Sequence, residues 1–229
     1  SPDERGVDVA LLYQRHQFRL LEKNEHEVLF SDKRLRPTRN ILHVAGKTVT
    51  GDTLDLFVCH WPSRRGGQRE SEPARIDAAS LLRRKVDSLF SIRGDANIVI
   101  MGYFNDNPDN RSISLTLGAG APDQDCSEKR LYNLFSSHLK ELRRGTYFFQ
   151  GNWELPDQII VSGNLLRQEN PLYIREGRGY IFSPDFLLRE EKSSGVKRPY
   201  RTYYGPRYIG GFSDHLPVYA DLEFNSSGI

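Results

Sequence analysis

Short apolar runs separated by polar segments recur along the whole chain and predict a fold rich in β-strands. Residues 7–13 (VDVALLY) and 97–101 (NIVIM) are nearly continuous apolar runs, which is typical of strands buried on both faces. Residues 54–60 (LDLFVCH) alternate more and stop at Trp61 and Pro62, where proline ends regular pairing. Shorter strands are predicted at residues 28–30, 41–45, 146–149, 158–161, 172–175 and 217–224.

Helical spacing is found in two places. Apolar residues three and four apart predict a first helix, with a stripe formed by Ile76, Ala79, Leu82, Val86, Leu89 and Phe90. We expect Ser71 to cap its start, Pro73 to lie in its first turn and Gly94 to follow its end. The opposite face is interpreted as solvated surface and carries Arg75, Arg83, Arg84 and Lys85. A second helix is predicted over residues 127–139, with its inward side formed by Leu131, Leu134, Phe135 and Leu139.

Composition supports one α/β domain covering residues 1–229. Hydrophobic residues make up 38% and charged residues 27%, which is ordinary for a globular protein with a sizeable core. The mixture of many strands and two helices fits a single domain with large sheets. Cys59 and Cys126 resemble neither a disulfide framework nor a cysteine metal site. No apolar stretch approaches the length of a membrane span.

The charge is informative only locally. A net charge of +2 gives no global argument for nucleic acid or an anionic membrane. Three stretches are nevertheless basic, with no acid between their basic residues: Lys33, Arg34, Arg36 and Arg39; Arg64, Arg65 and Arg69; and Lys197, Arg198, Arg201 and Arg207. A solvated basic face explains any one of them, whereas the three together favour a ligand that carries phosphate.

Four segments place polar or metal-capable side chains next to an apolar strand. They are residues 59–63 (CHWPS), 101–106 (MGYFND), 153–162 (WELPDQIIVS) and 211–218 (GFSDHLPV). Each segment alone is weak support for a site, because a strand-end histidine is often a hydrogen-bonded edge residue. Their order along the chain is specific.

That order resembles the endonuclease/exonuclease/phosphatase superfamily, which includes deoxyribonucleases, abasic-site endonucleases, sphingomyelinases and inositol polyphosphate 5-phosphatases. Residues 213–218 (SDHLPV) are similar to its terminal signature, and residues 102–105 (GYFN) resemble its Gly-Asp-Phe-Asn block. Residues 157–162 (DQIIVS) resemble its Asp-led apolar strand, and His60 lies where several members carry a histidine. The resemblance implies a four-layer α/β sandwich with two packed mixed β-sheets flanked by helices. Residues 201–211 resemble bacterial members of unassigned substrate.

The resemblance also implies roles for individual residues. His215 would be the central catalytic histidine, and Asp157 would fix its tautomer and orientation. Asp214 would lie beside the metal, for which Mg²⁺ or Mn²⁺ is expected because hard oxygen ligands and phosphate suit it. Asn105 would hydrogen-bond the phosphate or the attacking water, and His60 would contact the phosphate or assist the leaving group.

Two departures from the family pattern stand out. The family's first strand bears an asparagine and, later, a glutamate that binds the metal; neither block is found here, so the chain resembles an N-terminally truncated member. Tyr103 stands at the position of the family aspartate, and a neutral phenol with a pKa near 10 cannot replace a carboxylate's charge. Asp106 is adjacent, but we expect its side chain to point elsewhere. Asp8 either orients His60 or is a buried aspartate with a structural partner.

Two functions follow as hypotheses. The first is a metal-dependent phosphoesterase using in-line attack by water on a nucleic acid, a lipid headgroup or a sugar phosphate. The alternative is a catalytically impaired member that binds a phosphate-containing ligand, because of Tyr103. Residues 199–208 form an aromatic and basic loop in which Arg201 and Tyr208 are predicted substrate contacts; a packed surface lid is the other interpretation. Asp8 is a third residue predicted to lie in the substrate-binding region. A monomer without a protein partner is expected, and the sequence gives no prediction of the cellular compartment.

Overall fold

The computed structural model describes residues 2–122, 126–136, 145–191 and 195–225. The strands in chain order are β1 (Phe18–His26), β2 (Ile41–Thr48), β3 (Thr53–His60), β4 (Asn97–Tyr103), β5 (Ala119–Gly120), β6 (Leu131–Asn133), β7 (Tyr147–Phe149), β8 (Asn152–Glu154), β9 (Asp157–Ser162), β10 (Leu172–Ile174), β11 (Tyr180–Ile181), β12 (Leu188–Glu190), β13 (Lys197–Pro199), β14 (Tyr203–Tyr204), β15 (Arg207–Tyr208), β16 (Val218–Tyr219) and β17 (Leu222–Phe224). The helical elements are α1 (Gln68–Ile92), a π-helical turn (Ser112–Leu117) and 3₁₀ turns at Gly163–Leu166, Arg175–Gly177 and Asp185–Leu187. Nothing in this part of the chain forms a helix both long enough and apolar enough to cross a membrane.

A seven-stranded mixed sheet forms the centre of the molecule, in the order β1-β2-β3-β4-β9-β6-β5. Strands β3 and β4 are parallel and are connected through α1, while β4 and β9 are antiparallel. The helix covers one face of the sheet, where Phe57, Ile98 and Ile100 pack against Leu82 and Val86. All five side chains are fully buried, so this side of the core accounts for the strong apolar runs in the sequence.

The other face of the sheet is only partly covered. Leu56, Val58, Val99 and Met101 alternate with the buried residues of β3 and β4 and are half-buried. Within the described ranges, the remaining strands pair in two-stranded ladders: β7 with β8, β10 with β17, β11 with β16, β12 with β13, and β14 with β15. A mixed α/β fold with one large sheet is therefore present, and a second large sheet is not formed by these residues.

Residues 7–13 were predicted to form a strand buried on both faces, and this prediction is wrong. The segment forms no strand and most of it is exposed, although Val9 and Leu11 pack on the half-buried face of the sheet. Leu12 is 97% exposed. A strand needs a hydrogen-bonded neighbour as well as an apolar sequence, and no described strand pairs with this segment.

Helix α1 begins earlier than predicted. Gly67 occupies the cap position without a side-chain cap, and the hydroxyl of Ser71 instead donates to the carbonyl of Gly67 inside the first turns. Pro73 lies inside the helix rather than in its first turn. Arg75 is not solvated surface, because its side chain is fully buried and forms an ion pair with the buried carboxylate of Asp106 at 2.7 Å. The apolar spacing could not reveal a buried charge on the opposite side.

The second predicted helix is wrong where the structure describes it. Residues 131–133 form β6, in which Tyr132 pairs with Val161 of β9. Leu131, Leu134 and Phe135 are buried as expected, but in a strand and turn, because this short apolar spacing fits either element. Leu139 lies outside the described residues.

The remaining strand predictions differ from the structure mainly at edge strands and at the ends of strands. Strand β1 was missed, since it is an edge strand whose side chains are mostly exposed and whose apolar residues do not alternate with polar ones. Residues 28–30 form no strand, although Val28 and Phe30 are buried. Residues 217–224 divide into β16 and β17, because the two halves pair with different partners, β11 and β10.

Candidate active site

Three polar residues meet at one end of three neighbouring central strands of the sheet. His60 ends β3, Tyr103 ends β4 and Asp157 begins β9, and they are consecutive register partners across these strands. Side chains alternate between the two faces of a sheet, so all three point away from α1. The parallel β3–α1–β4 connection together with the antiparallel β9 therefore gathers residues from distant parts of the sequence.

His215 joins this group through β7. An isolated β-bridge links His215 to Tyr147, and the carbonyl of Thr146 accepts a hydrogen bond from the backbone N–H of Leu216 at 2.8 Å. The Nδ1 of His215 lies 2.7 Å from Oδ2 of Asp157. The same oxygen accepts a hydrogen bond from the hydroxyl of Thr146 at 2.6 Å. A Thr–Asp–His chain is formed, which holds the proton on Nδ1 and leaves Nε2 for other chemistry.

Aromatic rings surround the imidazole of His215. Tyr147 stacks on it at 4.6 Å with an interplanar angle of 20°, and Tyr103 meets it edge-on at 4.7 Å. The ring of Tyr103 is also 5.0 Å from the ring of His60. Tyr103 consequently contacts both histidines.

The pKa values of the two histidines move in opposite directions. Burial alone would lower the pKa of His215, but the hydrogen bond and charge of Asp157, together with the charge of Asp214, raise it above the usual 6.5. Burial and the charge of Arg5 lower the pKa of His60. A group that readily holds a proton and a group that readily remains neutral therefore share one site.

Tyr103 is a neutral group at the centre of this site. Burial and the charge of Asp157 raise the pKa of its phenol well above the usual value of 10. It can donate or accept a hydrogen bond, but it brings no negative charge at physiological pH.

Structural demands explain the residues around Tyr103. Gly102 has φ 139°, and a Cβ atom there would lie 2.0 Å from the carbonyl oxygen of Cys59, so only glycine fits. Phe104 is fully buried and packs edge-on against Trp61 at 4.9 Å. Asn105 is buried with φ 56°, and its side-chain amide donates to the carbonyl of Trp61 at 2.9 Å. These contacts fix the loop, and they favour a positioning role for Asn105.

Asp106 points away from the site, as predicted. Besides Arg75, its carboxylate accepts hydrogen bonds from Ser112 at 2.6 Å and from Gln68 at 2.8 Å. It is fully buried beneath the loop, where it joins α1 to the π-helical turn. A carboxylate committed to these partners is not available to the group around Tyr103.

A second ion pair borders the loop. The guanidinium group of Arg64 contacts both carboxylate oxygens of Glu154, at 2.8 and 2.9 Å, and its Nε donates to the carbonyl of Asn105. This pair connects the end of β8 to the loop that carries Asn105.

The donor set for a metal ion is small. In the described ranges, no three His, Cys, Asp or Glu side chains are grouped so that they could hold an ion. Asp214 is partly exposed beside His215, and its carboxylate has no hydrogen bond or ion pair with a described residue. The carboxylate of Glu154 is paired with Arg64. The carboxylate of Asp157 is hydrogen-bonded to Thr146 and His215. Mg²⁺ keeps several waters and often takes one or two protein carboxylates together with substrate phosphate, so Asp214 fits only a substrate-associated ion.

Three other predicted site residues lie further out. Asp8 is exposed, accepts a hydrogen bond from the N–H of Val9, and is not among the charges acting on His60. Arg201 lies over the ring of Tyr147 at 5.7 Å, so it reaches the site indirectly. Tyr208 is exposed on the β14–β15 hairpin and packs against Tyr203 at 5.5 Å. The structure thus brings Arg201 close to His215 and leaves Asp8 and Tyr208 at the periphery.

The three basic stretches differ once their partners are known. In the first, Arg34 pairs with Asp32, Arg36 with Glu4 and Arg39 with Asp3. In the second, Arg64 pairs with Glu154. In the third, Lys197 pairs with Asp185 and Arg198 with Glu191, but Arg201 and Arg207 have no carboxylate partner among the described residues. Lys33, Arg65 and Arg69 likewise have no carboxylate partner among these residues, and within the third stretch it is Arg201 whose charge acts on His215.

Sequence reasoning missed the residues that complete the site: Thr146, Tyr147 and Glu154. Thr146 and Tyr147 begin a predicted strand, but threonine and tyrosine are ordinary strand residues and carry no motif. Glu154 lies in one of the four singled-out segments, yet nothing there revealed its pairing with Arg64.

Comparison with known proteins decides the family. The sequence model of the Endonuclease/Exonuclease/phosphatase family matches residues 1–224. The chain belongs to this family. Its members are hydrolases that act on phosphate esters. No curated protein matches the chain by sequence.

Solved structures of this family share the fold. The human Nocturnin catalytic domain with bound sulfate has a TM-score of 0.56 at 14% identity, covering 93% of this chain and 62% of its own. The mannosyl-6-phosphatase Bt3783 of Bacteroides thetaiotaomicron has a TM-score of 0.54 at 19% identity, with coverages of 93% and 69%. Truncated TDP2 of Caenorhabditis elegans has a TM-score of 0.51 at 14% identity, with coverages of 91% and 67%. The chain therefore spans roughly two thirds of the length of these proteins.

Proposed function

We propose that this protein hydrolyses a phosphate ester at the site formed by His215, Asp157, His60 and Tyr103. The observation that carries the proposal is the Thr146–Asp157–His215 chain, in which a histidine is oriented by a carboxylate at 2.7 Å. Such an arrangement is suited to holding and transferring a proton near neutral pH. Family membership gives the reaction class, and the site gives the groups that would perform it.

The opposite pKa shifts support a division of roles. With its raised pKa, His215 carries a proton and can stabilise negative charge that develops on the phosphoryl oxygens through Nε2–H. With its lowered pKa, His60 remains neutral and can contact the phosphate or exchange a proton with water or the leaving group. Asn105 and the Arg64–Glu154 pair keep the loop between them in place. Arg201 and Tyr208 are proposed as substrate contacts on the open side, while the exposed position of Asp8 gives it at most an outer role.

A divalent cation is part of the proposal, with Asp214 as its protein ligand. When bound, Mg²⁺ or Mn²⁺ would neutralise charge on the phosphate. Because the described donor set contains this single uncommitted carboxylate, we assign the ion to the complex with substrate. No proton transfer above depends on it.

Tyr103 supports the second candidate, an impaired enzyme that retains phosphate binding. The phenol contacts both histidines and brings no charge where the family has an aspartate. Since each 1.36 kcal/mol of barrier is a factor of ten in rate, a missing carboxylate can cost several orders of magnitude. Under this candidate, phosphorylated ligands bind saturably without conversion.

Phosphate-ester hydrolysis of the purified protein tests both candidates. We would measure p-nitrophenol release from mono- and bis-p-nitrophenyl phosphate with Mg²⁺ and with EDTA, for the wild type, His215→Ala and Tyr103→Asp. Hydrolysis that is lost in His215→Ala supports the enzyme, and a gain of about a hundredfold or more in Tyr103→Asp identifies the tyrosine as the limiting group. Equal rates in the wild type and in His215→Ala would reject the proposed site.

The architecture implied for the whole family completes the proposal. We treat residues 1–229 as one domain, because β10, β16 and β17 pack on the same core as the central sheet. The four-layer sandwich with a second large sheet, the truncated N-terminus, the bacterial origin and the monomeric state remain predictions.

A further inference from the structure

The segment that follows β11 presents an unusual set of exposed aromatic rings. Phe186 and Phe212 are each 59% exposed, although their rings are only 5.7 Å apart. Phe182, which is also exposed, lies 6.5 Å from Phe186, and Tyr200 lies 6.5 Å from Phe212. Phenylalanine has no hydrogen-bonding group to satisfy in water, so a cluster of exposed phenylalanine rings indicates a surface that contacts a ligand.

A basic cleft of about 270 Å³ adjoins these rings. Its charged lining contains four arginines and two glutamates: Arg189, Arg198, Arg201, Arg207, Glu190 and Glu191. Arg198 pairs with Glu191 at 3.1 Å, but Arg189, Arg201 and Arg207 have no carboxylate partner in the described part of the chain. The cleft therefore favours a ligand with more than one negative charge.

Backbone contacts hold rings and arginines in a fixed relation. The N–H of Gly211 donates to the carbonyl of Arg201 at 3.0 Å, and the N–H of Phe212 donates to that of Tyr200 at 2.7 Å. The hydroxyl of Tyr200 donates to the carbonyl of Ile209 at 2.7 Å, while Arg189 lies over its ring at 5.3 Å. These contacts hold the surface in one conformation, and Tyr200 helps to support it.

The surface formed by these rings and arginines lies next to the proposed active site. Phe212 precedes His215 by two intervening residues, Ser213 and Asp214. Arg201 of the cleft lies over Tyr147, whose ring stacks on His215. A ligand seated on this surface would therefore lie next to His215.

We propose that Phe186, Phe212, Arg189, Arg201 and Arg207 form a binding surface for single-stranded nucleic acid, named here the platform. This inference rests on the proposed function, since it assigns that site its substrate class. Planar rings next to unpaired arginines match a strand whose bases are free to stack and whose backbone carries regularly spaced phosphates. A duplex hides its base faces, and a sugar phosphate is too small to use both the cleft and the rings outside it.

Binding can be measured without catalysis. We would use a fluorescein-labelled dT₁₂ oligonucleotide and the otherwise intact chain carrying His215→Ala, in EDTA, and record anisotropy as a function of salt. Failure of hydrolysis would leave this measurement unaffected, so the platform and the catalytic proposal can fail separately.

We expect the phenylalanine rings and the arginines to contribute separately to binding, so that removing either set weakens it. The Phe186→Ala/Phe212→Ala double variant should weaken binding between about tenfold and a few hundredfold, while Phe212→Trp should retain it. The Arg189→Ala/Arg207→Ala variant should reduce the slope of log K against log salt by about 1.4, because each phosphate contact on a single strand contributes about 0.7. Leu115→Ala and Arg84→Ala remove an exposed apolar side chain and an exposed arginine elsewhere, and should change nothing.

Four outcomes would overturn the proposal, the first three of which concern affinity and the choice of ligand. These three are unchanged affinity in both double variants with intact thermal unfolding, tighter binding to a blunt duplex than to dT₁₂, and binding of the platform to anionic phosphatidylglycerol vesicles in place of the oligonucleotide. Full displacement of dT₁₂ by equimolar mannose 6-phosphate would also overturn it, because a small phosphate cannot occupy the ring surface.

Discussion

Two histidine–aspartate pairs each include an aspartate of the central sheet, and they differ in what surrounds them. His215 and Asp157 are 2.7 Å apart, and His43 and Asp55 are 2.9 Å apart. In the second pair, the other oxygen of Asp55 is bound by the guanidinium of Arg93, and the carboxylate is fully buried. The ring of His43 stacks on Phe57 at 4.3 Å with an angle of 8°.

A histidine–aspartate hydrogen bond does not by itself make an active site. Asp55 has an arginine as its second partner, so its charge is already compensated and the pair closes a structural cluster. Asp157 has the neutral hydroxyl of Thr146 instead, so its charge acts on His215. The His215 side chain also keeps 22% of its surface accessible, with Nε2 available to a ligand. The two pairs therefore differ in whether an arginine neutralises the aspartate and in whether a ligand can reach the histidine.

The largest effect should come from deleting each imidazole. His215→Ala should lower the rate of phosphate-ester hydrolysis by about 10²- to 10⁴-fold, the usual contribution of a positioned acid or base. His43→Ala should lower the melting temperature and leave the rate of the folded protein unchanged, because His43 faces the α1 side of the sheet. Rates and thermal unfolding of both variants, measured side by side, check this. Equal losses of rate would remove the distinction between the pairs.

Changing the two carboxylates should separate stability from titration. Asp55→Asn leaves Arg93 without its buried partner and should cost about 3–5 kcal/mol of unfolding free energy. Asp157→Asn should cost less stability, but it should bring the pKa of His215 below 6.5, because burial, the largest influence on this pKa, is then opposed by the weaker charge of Asp214 alone. Urea unfolding and NMR titration of the imidazole protons give the two readouts. An unchanged pKa in Asp157→Asn would contradict the assigned cause.

Thr146 should have a smaller effect, as a positioning residue. Thr146→Val removes one hydrogen bond to Asp157 and should lower the hydrolysis rate by roughly fivefold, in line with about 1 kcal/mol per hydrogen bond. The pKa of His215 should rise further, since the carboxylate is no longer shared with a second donor. Thr146→Ser keeps the hydroxyl and should restore both values. A purely structural role would instead lower stability in the valine variant without moving the pKa.

The smallest effect concerns the pH dependence of stability. Burial lowers the pKa of His26 to about 4, so folding excludes a proton that the unfolded chain binds, and stability should fall as the pH drops from 6.5 toward 4. The raised pKa of His215 acts oppositely: its stabilisation is complete below pH 6.5 and is lost as the pH rises through its folded-state value. His26→Asn should flatten the acidic decline, and His215→Asn the alkaline one. Because His26 is partly exposed, the change should be modest, and urea unfolding at several pH values would detect its sign.

Much of the fold could be predicted from apolar runs that are buried in the final sheet. Strands β3, β4 and β9 and the apolar side of α1 follow from the sequence, because their periodicity matches the side of each element that meets the core. Residues 7–13 and 127–139 could not be predicted in the same way. An apolar segment becomes a strand only where a neighbour offers hydrogen bonds, and periodicity carries no information about neighbours.

The same distinction between local pattern and folded neighbourhood applies to the candidate site. The residue types that could act were readable from the sequence, since residues 102–105 and 213–218 resemble the family signatures, and Tyr103 was recognised as a neutral residue where the resemblance implies an acid. Folding was needed to show that Thr146 binds Asp157, that Asp106 is committed to Arg75, and that Arg201 has no carboxylate partner among the described residues. Those facts depend on distances between residues far apart in the chain. Charge compensation and burial are properties of the folded neighbourhood, and no local pattern of residues encodes them.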